Sequence, residues 1–328
     1  MKKFLIGILI LLFSSIALAD ELRTREEIEN SAMALFISEN FEILNSKGAA
    51  YLESQSRTSS GLWNLTLFYA GLSSIPNSKV TDPKYWSDLK TKVHRWTSID
   101  EKLSFSHMVY VDILISEAWM YRGNGWAYKV RKEDWKPFYE KIEEAKTYLL
   151  RYEQLKKIDP RWYEQMLTIA KAQGWDLPEF YALLDEALSA HPQFYEIYFR
   201  AINYLQPKWH GSAEEIEKFA TYATKKSEAY EGQGMYARIY WYVSQAEYGH
   251  KLFTKSKARW EQMKLGIDDV IKRYPDQWNI NNFAVFSCLA KDKEMTKELM
   301  NMIEGRPIIS VWKDGNFYDS CLDWANKK

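Results

Sequence analysis

The sequence predicts an all-α protein of stacked helical hairpins that form a curved solenoid. Two observations predict this fold. Apolar residues recur at helical spacing, and proline follows a helical run at Pro160, Pro192 and Pro275. Proline lacks an amide hydrogen and fixes φ, so it is tolerated in the first turn of a helix but breaks an interior. The first two prolines are 32 residues apart, close to one helix-turn-helix repeat, and the 83 residues to the third leave room for about two more.

The first 19 residues have the pattern of a secretory signal peptide. Two lysines precede an apolar run from Phe4 to Phe13, and small residues at Ala17 and Ala19 stand just before a cleavage position. The run is too short for an ordinary membrane span. We therefore expect cleavage between Ala19 and Asp20, and a periplasmic or secreted protein without a membrane span. An uncleaved anchor is the alternative.

The charge balance disfavours one class of partner. The chain has 44 basic and 44 acidic residues, and loss of the signal peptide removes two lysines. A nucleic-acid binder needs a basic surface to attract phosphates. The nearly neutral chain therefore predicts no nucleic-acid partner, and its mixed charges suit contact with a protein or peptide.

Helix starts are marked by two kinds of capping signal. In the capping box, a hydroxyl and a carboxylate three residues later satisfy the first free amides of a helix. The pairs that fit are Thr24 and Glu27, Ser98 and Glu101, and Ser212 and Glu215. Aspartates that stand one or two residues before a proline are further start signals. These are Asp82, Asp159 and Asp176.

Between these signals the apolar residues form helical stripes. Phe180, Leu183, Leu184, Ala187 and Leu188 fall on one face of a helix. The same spacing elsewhere predicts about fifteen helices from residue 24 onward. Shorter irregular stretches are expected near residues 74–83, 206–212 and 305–317.

Part of the chain resembles a known family. The run from Gln165 to Ala220, QMLTIAKAQGWDLPEFYALLDEALSAHPQFYEIYFRAINYLQPKWHGSAEEIEKFA, resembles the bacterial helical-repeat family named domain of unknown function 4034. Its most distinctive element is PKWHGS. The runs RTSSGLWNLTLFYAGL, AWMYRGNGWAYKV and RWEQMKLGIDDVIKRYPDQWNINNFAVFSCLAKD are also similar, so the likeness extends over about residues 57–300. The resemblance implies an exported or envelope protein with a tetratricopeptide-like fold, and it transfers no catalytic residue.

The position of the repeats suggests a division of the mature chain. Residues 20–130 form an N-terminal helical region, either a cap or a less regular subdomain. Residues 131–305 form the tetratricopeptide-like repeats, and residues 306–328 form a C-terminal tail that packs on the last repeat.

The two cysteines allow one disulfide. Cys288 and Cys321 are an even number in a compartment where disulfides persist. A bridge would tie the tail to the last hairpin. The alternative is that Cys288, which lies in the apolar run FAVFSCLA, is a small buried residue.

The loop QPKWHGS carries the strongest local candidates for binding. Trp209 and His210 stand between two helices, and loops held by a rigid scaffold often carry binding groups. In the structural alternative, Trp209 is a packing anchor, Gly211 forms a turn and Ser212 caps a helix. A serine, a histidine and an acid that are close in sequence do not make a catalytic triad.

Tryptophan is unusually frequent. The chain has 14 tryptophans, and aromatic residues make up 16% of it. Most should fill the space between helices. A few, such as Trp63, Trp126, Trp175 or Trp209, are candidates to line a groove that takes a peptide or a sugar face.

Other groups of polar residues and glycines are weaker candidates for a functional site. His107, Asp112 and Glu117 lie on one apolar helix but do not share a face, so we expect a carboxylate there to pair with Arg122 or Arg131. The glycines of RGNGWAY are expected to end a helix rather than to cradle a phosphate. No metal-ligand spacing occurs among the histidines at positions 94, 107, 191, 210 and 250. We predict no cofactor, metal or catalytic residue.

The function favoured by the sequence is a protein- or peptide-binding scaffold, because helical repeats expose extended surfaces. One alternative is an envelope-glycan hydrolase that uses a carboxylate such as Glu117, with a second acid across an aromatic cleft. The other is a glycan-binding module without chemistry.

Overall fold

The computed structural model describes residues 4–123, 125–305 and 307–327, with side chains from Glu21 onward. The predicted signal peptide, residues 1–19, lies outside the part of the chain whose side chains are described. Helices make up most of the described residues, and no β-strand occurs among them. The predicted all-α class is therefore confirmed, whereas the curved solenoid shape stays a prediction.

The chain forms two compact units, each of which is discontinuous in sequence. The N-terminal unit comprises residues 25–56 and 63–210. The C-terminal unit comprises residues 1–24, 57–62 and 211–328. This division differs from the predicted boundaries at residues 130 and 305, because segments distant in sequence pack together.

Helix α1 (Phe4–Ile37) contributes residues to both units. The other helices of the N-terminal unit are α2 (Phe41–Ser54), α3 (Asn64–Ser73), α4 (Pro83–Thr97), α5 (Ser104–Arg122), α6 (Lys132–Arg151), α7 (Arg161–Gln173), α8 (Leu177–Ala190) and α9 (Tyr195–Leu205). Those of the C-terminal unit are α10 (Ala213–Glu231), α11 (Gly234–Val243), α12 (Leu252–Lys255), α13 (Trp260–Arg273), α14 (Gln277–Leu289), α15 (Lys293–Ile303), α16 (Ile309–Trp312) and α17 (Gly315–Asn326).

The prolines lie where the sequence predicts helix boundaries. Pro160 directly precedes α7, Pro192 separates α8 from α9, and Pro275 separates α13 from α14. The predicted irregular stretches at 74–83 and 206–212 also fall between helices, whereas the stretch at 305–317 contains the short helix α16.

The capping signals were only partly correct. Asp82, Asp176 and Ser212 each accept a hydrogen bond from a backbone N–H in the first turn of the following helix. The other two boxes were wrong. Thr24 lies inside α1, and Ser98 follows the last residue of α4, while the next helix starts only at Ser104. The Ser98 amide donates to the carbonyl oxygens that end α4, so the same short polar residue serves a helix end instead of a start.

A buried ion cluster holds three helices of the N-terminal unit together. Arg161 of α7 donates to Asp112 of α5 at 2.9 Å and to Glu164 at 2.6 Å. Arg200 of α9 also contacts Glu164, at 2.6 Å. Burial alone would raise the pKa of Glu164, but Arg161 and Arg200 hold it below its usual value. Charge in this core is therefore matched by opposite charge.

Segment 57–62 belongs to the C-terminal unit through a cradle of hydrogen bonds. The Glu21 carboxylate accepts from the hydroxyl of Thr58 at 3.0 Å and from the hydroxyl of Ser60 at 2.7 Å. The Ser59 hydroxyl lies 2.8 Å from a carboxylate oxygen of Glu21 and 2.8 Å from one of Asp276. Gly61 has a φ of +93°, and a Cβ atom there would come within 2.8 Å of the Tyr274 ring. The turn therefore requires glycine.

The end of the chain is tied back within the same unit. Cys288 of α14 and Cys321 of α17 form a disulfide with a Cα–Cα distance of 5.9 Å. Among the described residues, no helix combines the length and the apolar character that a membrane crossing requires.

Candidate functional site

Three of the four predicted binding residues line one open cleft in the N-terminal unit. Trp126, Trp209 and His210 face a cavity of about 500 Å³. Trp175 does not line it. Its indole Nε1 donates at 2.9 Å to the side chain of Gln173, which does. Trp175 therefore supports the wall of the cleft from outside.

The cleft is built by segments that are far apart in sequence. They are the C-terminal end of α5, the loop that follows it, the first half of α6, the end of α7 and the loop after α9. The aromatic and basic side chains that line the cleft are Trp119, Arg122, Trp126, Trp135, Phe138, Tyr139, Lys171, Lys208, Trp209 and His210. Cavities of this size with aromatic walls and a few polar groups are typical of ligand sites.

The first edge of the cleft is set where α5 ends. Gly123 has a φ of +66°, and its N–H donates to the carbonyl of Trp119 at 2.7 Å. The RGNGWAY segment therefore ends a helix, as the sequence predicts. Beyond this turn, Trp126 is 59% exposed. Such exposure is unusual for a ring as large as an indole.

The opposite edge is held by the loop after α9. The Nε2–H of His210 donates to the carbonyl of Lys171 at 2.9 Å, and its ring packs 4.9 Å from that of Tyr204. Gly174 ends α7 with a φ of +69°, and a Cβ atom there would lie 3.3 Å from the His210 ring. His210 thus fixes the loop that presents Trp209.

Arg122 lies in the middle of the aromatic walls. Its guanidinium carbon is 5.0 Å from the ring centre of Trp119, 5.3 Å from that of Trp135 and 5.2 Å from that of Trp209. The residue is only 8% exposed, and burial lowers its pKa, but a guanidinium stays charged at any physiological pH. The rings attract this charge through their π faces.

Lys171 brings a second cation to the same place. Its Nζ lies 4.7 Å from the ring centre of Trp209 and 5.6 Å from that of Trp119. Burial, with repulsion from Arg200, Lys208 and Arg122, lowers the pKa of Lys171 from 10.5 to about 8. The cleft therefore brings two cations together, Arg122 and Lys171, in a buried place that disfavours their charged forms.

The described residues that line the cleft include no aspartate or glutamate. Glu117, the carboxylate named for a hydrolase, pairs with Lys90 at 2.9 Å and with Lys141 at 3.4 Å. The prediction that Arg122 or Arg131 would be its partner was wrong. Arg131 instead pairs with Asp134 at 2.8 Å.

The other two polar residues of α5 are structural as well. Asp112 pairs with Arg161, which reaches it from α7. The Nδ1 of His107 lies 2.8 Å from the hydroxyl of Tyr148, and its Nε2–H donates to the carbonyl of Glu101 at 2.9 Å. Within the residues that the structure describes, no group of three or more His, Cys, Asp or Glu side chains is placed to hold a metal ion.

Several cleft residues were missed by sequence reasoning. Trp119, Trp135 and Lys171 lie inside helices whose apolar stripes point to packing, and Arg122 was assigned to a salt bridge. One sequence signal could have pointed to the cleft: Arg122 and Trp126 stand on either side of the glycine turn. In the structure this turn lies beside the loop that carries Trp209. Nothing local to these segments shows that they meet.

Comparison with known proteins gives one finding. Residues 138–224 match the family model described as domain of unknown function (DUF4034), and this part of the chain carries that domain. The match includes the cleft residues from Phe138 onward. No curated protein and no solved structure matches the chain.

Proposed function

We propose that this protein is an exported scaffold, without chemistry of its own, that holds a peptide segment of another envelope protein in the aromatic cleft. The observation that carries the proposal is the set of four indoles around one open cavity: Trp119, Trp126, Trp135 and Trp209. Aromatic side chains supply a large contact area and dominate the binding energy of many interfaces. The exposed ring of Trp126 supports this role, because it contributes little to the core.

Two features support the proposed export. The sequence begins with the pattern of a signal peptide, and the Cys288–Cys321 bridge is of a kind that persists in oxidising compartments. N-terminal sequencing of the protein recovered from a periplasmic extract tests this point. We expect Asp20 as the first residue, and an intact N-terminus in the cytoplasmic fraction would contradict export.

Peptide binding can be tested by selection. A phage library of random linear peptides is panned on immobilised residues 20–328, and enriched sequences are measured by isothermal titration calorimetry. We expect binding that weakens by about tenfold or more in Trp126→Ala and in Trp209→Ala, since an aromatic anchor in a binding cleft is commonly worth at least 1.4 kcal/mol.

The matched control is Tyr128→Ala. Tyr128 is 79% exposed in the same loop as Trp126 but does not line the cleft. This variant should bind selected peptides as the wild type does. A library that yields no sequence with measurable affinity would contradict the proposal, as would peptides that bind all three variants equally.

A non-catalytic glycan-binding module is the second candidate, because an exposed flat ring such as that of Trp126 also suits a sugar face. Binding to envelope glycan fragments that is lost in Trp126→Ala, without peptide binding, would favour it. The hydrolase alternative receives no support from this cleft, because the described residues that line it include no acid pair. New reducing ends after incubation with envelope glycan would revive it.

A further inference from the structure

We infer that the peptide held in the cleft is acidic, with a carboxylate that binds Arg122 and Lys171 beside an apolar or aromatic side chain that packs on the tryptophans. This inference rests on the proposed function and adds the chemistry of the ligand.

The cations of the N-terminal unit differ in whether they are paired with a carboxylate. Several buried or half-buried cations elsewhere in this unit pair with carboxylates, as in Arg161 with Asp112 at 2.9 Å and Lys141 with Glu117 at 3.4 Å. Within the described residues, neither Arg122 nor Lys171 has a carboxylate within 4 Å. A cation left unpaired in a poorly hydrated place costs folding free energy. An arriving anion would remove that cost.

The guanidinium of Arg122 uses only part of its hydrogen-bonding capacity within the described residues. Its Nη1 donates to the backbone carbonyls of Gly123 at 3.1 Å and Gly125 at 3.3 Å. Within the described residues, its Nη2 and Nε have no acceptor. Three indole rings lie 5.0 to 5.3 Å from the guanidinium carbon, and the N–H groups of Nη2 and Nε are left to bind a ligand. A planar edge with two N–H groups matches a carboxylate, which accepts two parallel hydrogen bonds.

The charges and rings of the cleft disfavour a cationic ligand. Aromatic cages often bind ammonium groups, but here the rings of Trp119 and Trp209 already face the cations of the protein itself. Lys208 adds a third positive charge to the lining. Repulsion from these groups disfavours Lys or Arg in the ligand, whereas an acidic residue next to an apolar one satisfies both parts of the cleft.

The test uses four synthetic seven-residue peptides and the mature chain. Three have blocked ends and a central Trp-Glu-Glu, Trp-Gln-Gln or Trp-Lys-Lys sequence, and the fourth is the Gln peptide with a free C-terminal carboxylate. By calorimetry at pH 7 we expect the Glu peptide to bind at least about tenfold tighter than the blocked Gln peptide, as expected for a charge-assisted contact. The Lys peptide should bind most weakly. The fourth peptide tells whether the carboxylate comes from a side chain or from a chain end.

Two variants complete the test. Lys171→Met should reduce the preference for Glu over Gln by about tenfold. Lys146→Met is the matched control, because Lys146 also lies over an indole, that of Trp175 at 4.9 Å, outside the cleft. It should leave the preference unchanged. Arg122→Gln is used only if its circular dichroism matches the wild type, and the result with Lys171 stands without it.

The outcomes separate the two proposals. Equal affinity for the Glu and Gln peptides overturns the acidic ligand but leaves peptide binding intact. Panning without any binder overturns the proposed function. Binding of a glucuronic-acid oligosaccharide, with none of the acidic peptide, overturns the inference in favour of an anionic glycan.

Discussion

Two groups of buried basic residues in the N-terminal unit differ in one respect. Arg161 is surrounded by Asp112 and Glu164, which hold its pKa above the usual value despite its burial. Lys171 is surrounded by rings and other cations, and its burial, with repulsion from those cations, lowers its pKa to about 8. In the first group the cation is paired with carboxylates of the protein itself, and the group joins helices. The second is complete only with an anion from outside, and this contrast distinguishes a structural cluster from a binding site.

The largest effect is expected from Arg161→Met, which would show that the ion cluster serves the fold. Removal of the guanidinium leaves Asp112 without its salt bridge in a buried place, and breaking such a pair costs about 3 to 5 kcal/mol. Urea denaturation followed by circular dichroism measures the loss. Arg131→Met is the control, because the Arg131 side chain is 71% exposed and solvent screens its pair with Asp134. A loss for Arg161→Met no larger than the control would remove the contrast.

Lys171→Met should have the opposite sign. Because the pKa of Lys171 is lowered from 10.5 to about 8, the charged form is disfavoured in the folded state. The variant should therefore be more stable than the wild type at pH 7, by about 1 to 3 kcal/mol on the scale of 1.36 kcal/mol per pKa unit. The penalty is fully present below pH 8 and fades as the pH rises to 10.5, so the difference should shrink over that range. Destabilisation at pH 7 would show that Lys171 serves the fold.

Ligand binding should depend on pH in the same window. An acidic peptide needs the charged form of Lys171, so its affinity should be constant from pH 6 to 7.5 and fall above pH 8, by up to about tenfold per pH unit. The charged or titratable groups around Lys171 are Arg122, Arg200, Lys208, Tyr139 and His210. Calorimetry of Lys171→Met should give a flat profile between pH 7.5 and 9.5, and of Tyr139→Phe an unchanged fall. A fall that persists in Lys171→Met would assign it to another group.

The smallest effect on stability is expected for Trp126→Ala. The ring is 59% exposed, and surface substitutions usually change stability by no more than about 0.5 kcal/mol. Trp86→Ala provides the contrast, since Trp86 is 1% exposed and its loss should cost about 3 to 5 kcal/mol. Thermal denaturation of both variants measures this. A large loss for Trp126→Ala would place that ring in the core of the unit.

Local chemistry explains what could be predicted from the sequence. Asp176 and Ser212 each cap the next helix by accepting from the backbone N–H three residues later, so their pattern is readable in the sequence. Ser98 follows the same pattern but serves the end of α4, because the chain takes six more residues to start α5. A local capping signal therefore shows that a helix boundary is near, but not whether a helix starts or ends there.

The cleft could be predicted only in part, because its walls come together through packing. Trp209 and His210 stood out because they stand in a loop between two helices, and Trp126 was one of the tryptophans named as candidates to line a groove. Lys171 could not be found in this way, since its lowered pKa arises from burial and from cations such as Arg200 and Arg122, which lie 29 and 49 positions away in sequence. The partner of Asp112 was missed for the same reason, because Arg161 is 49 positions later.

The cradle around Glu21 sets an order of assembly. Glu21 is the second residue that the proposed signal cleavage would leave, so it would be among the first to reach the outside. Ser59 follows early, but Asp276, which completes the contact, lies 217 positions after Ser59. Contacts at such separation form late. In the proposed export, the N-terminal unit would therefore be free to fold while the chain is still being delivered, whereas the C-terminal unit would wait for the last third of the chain.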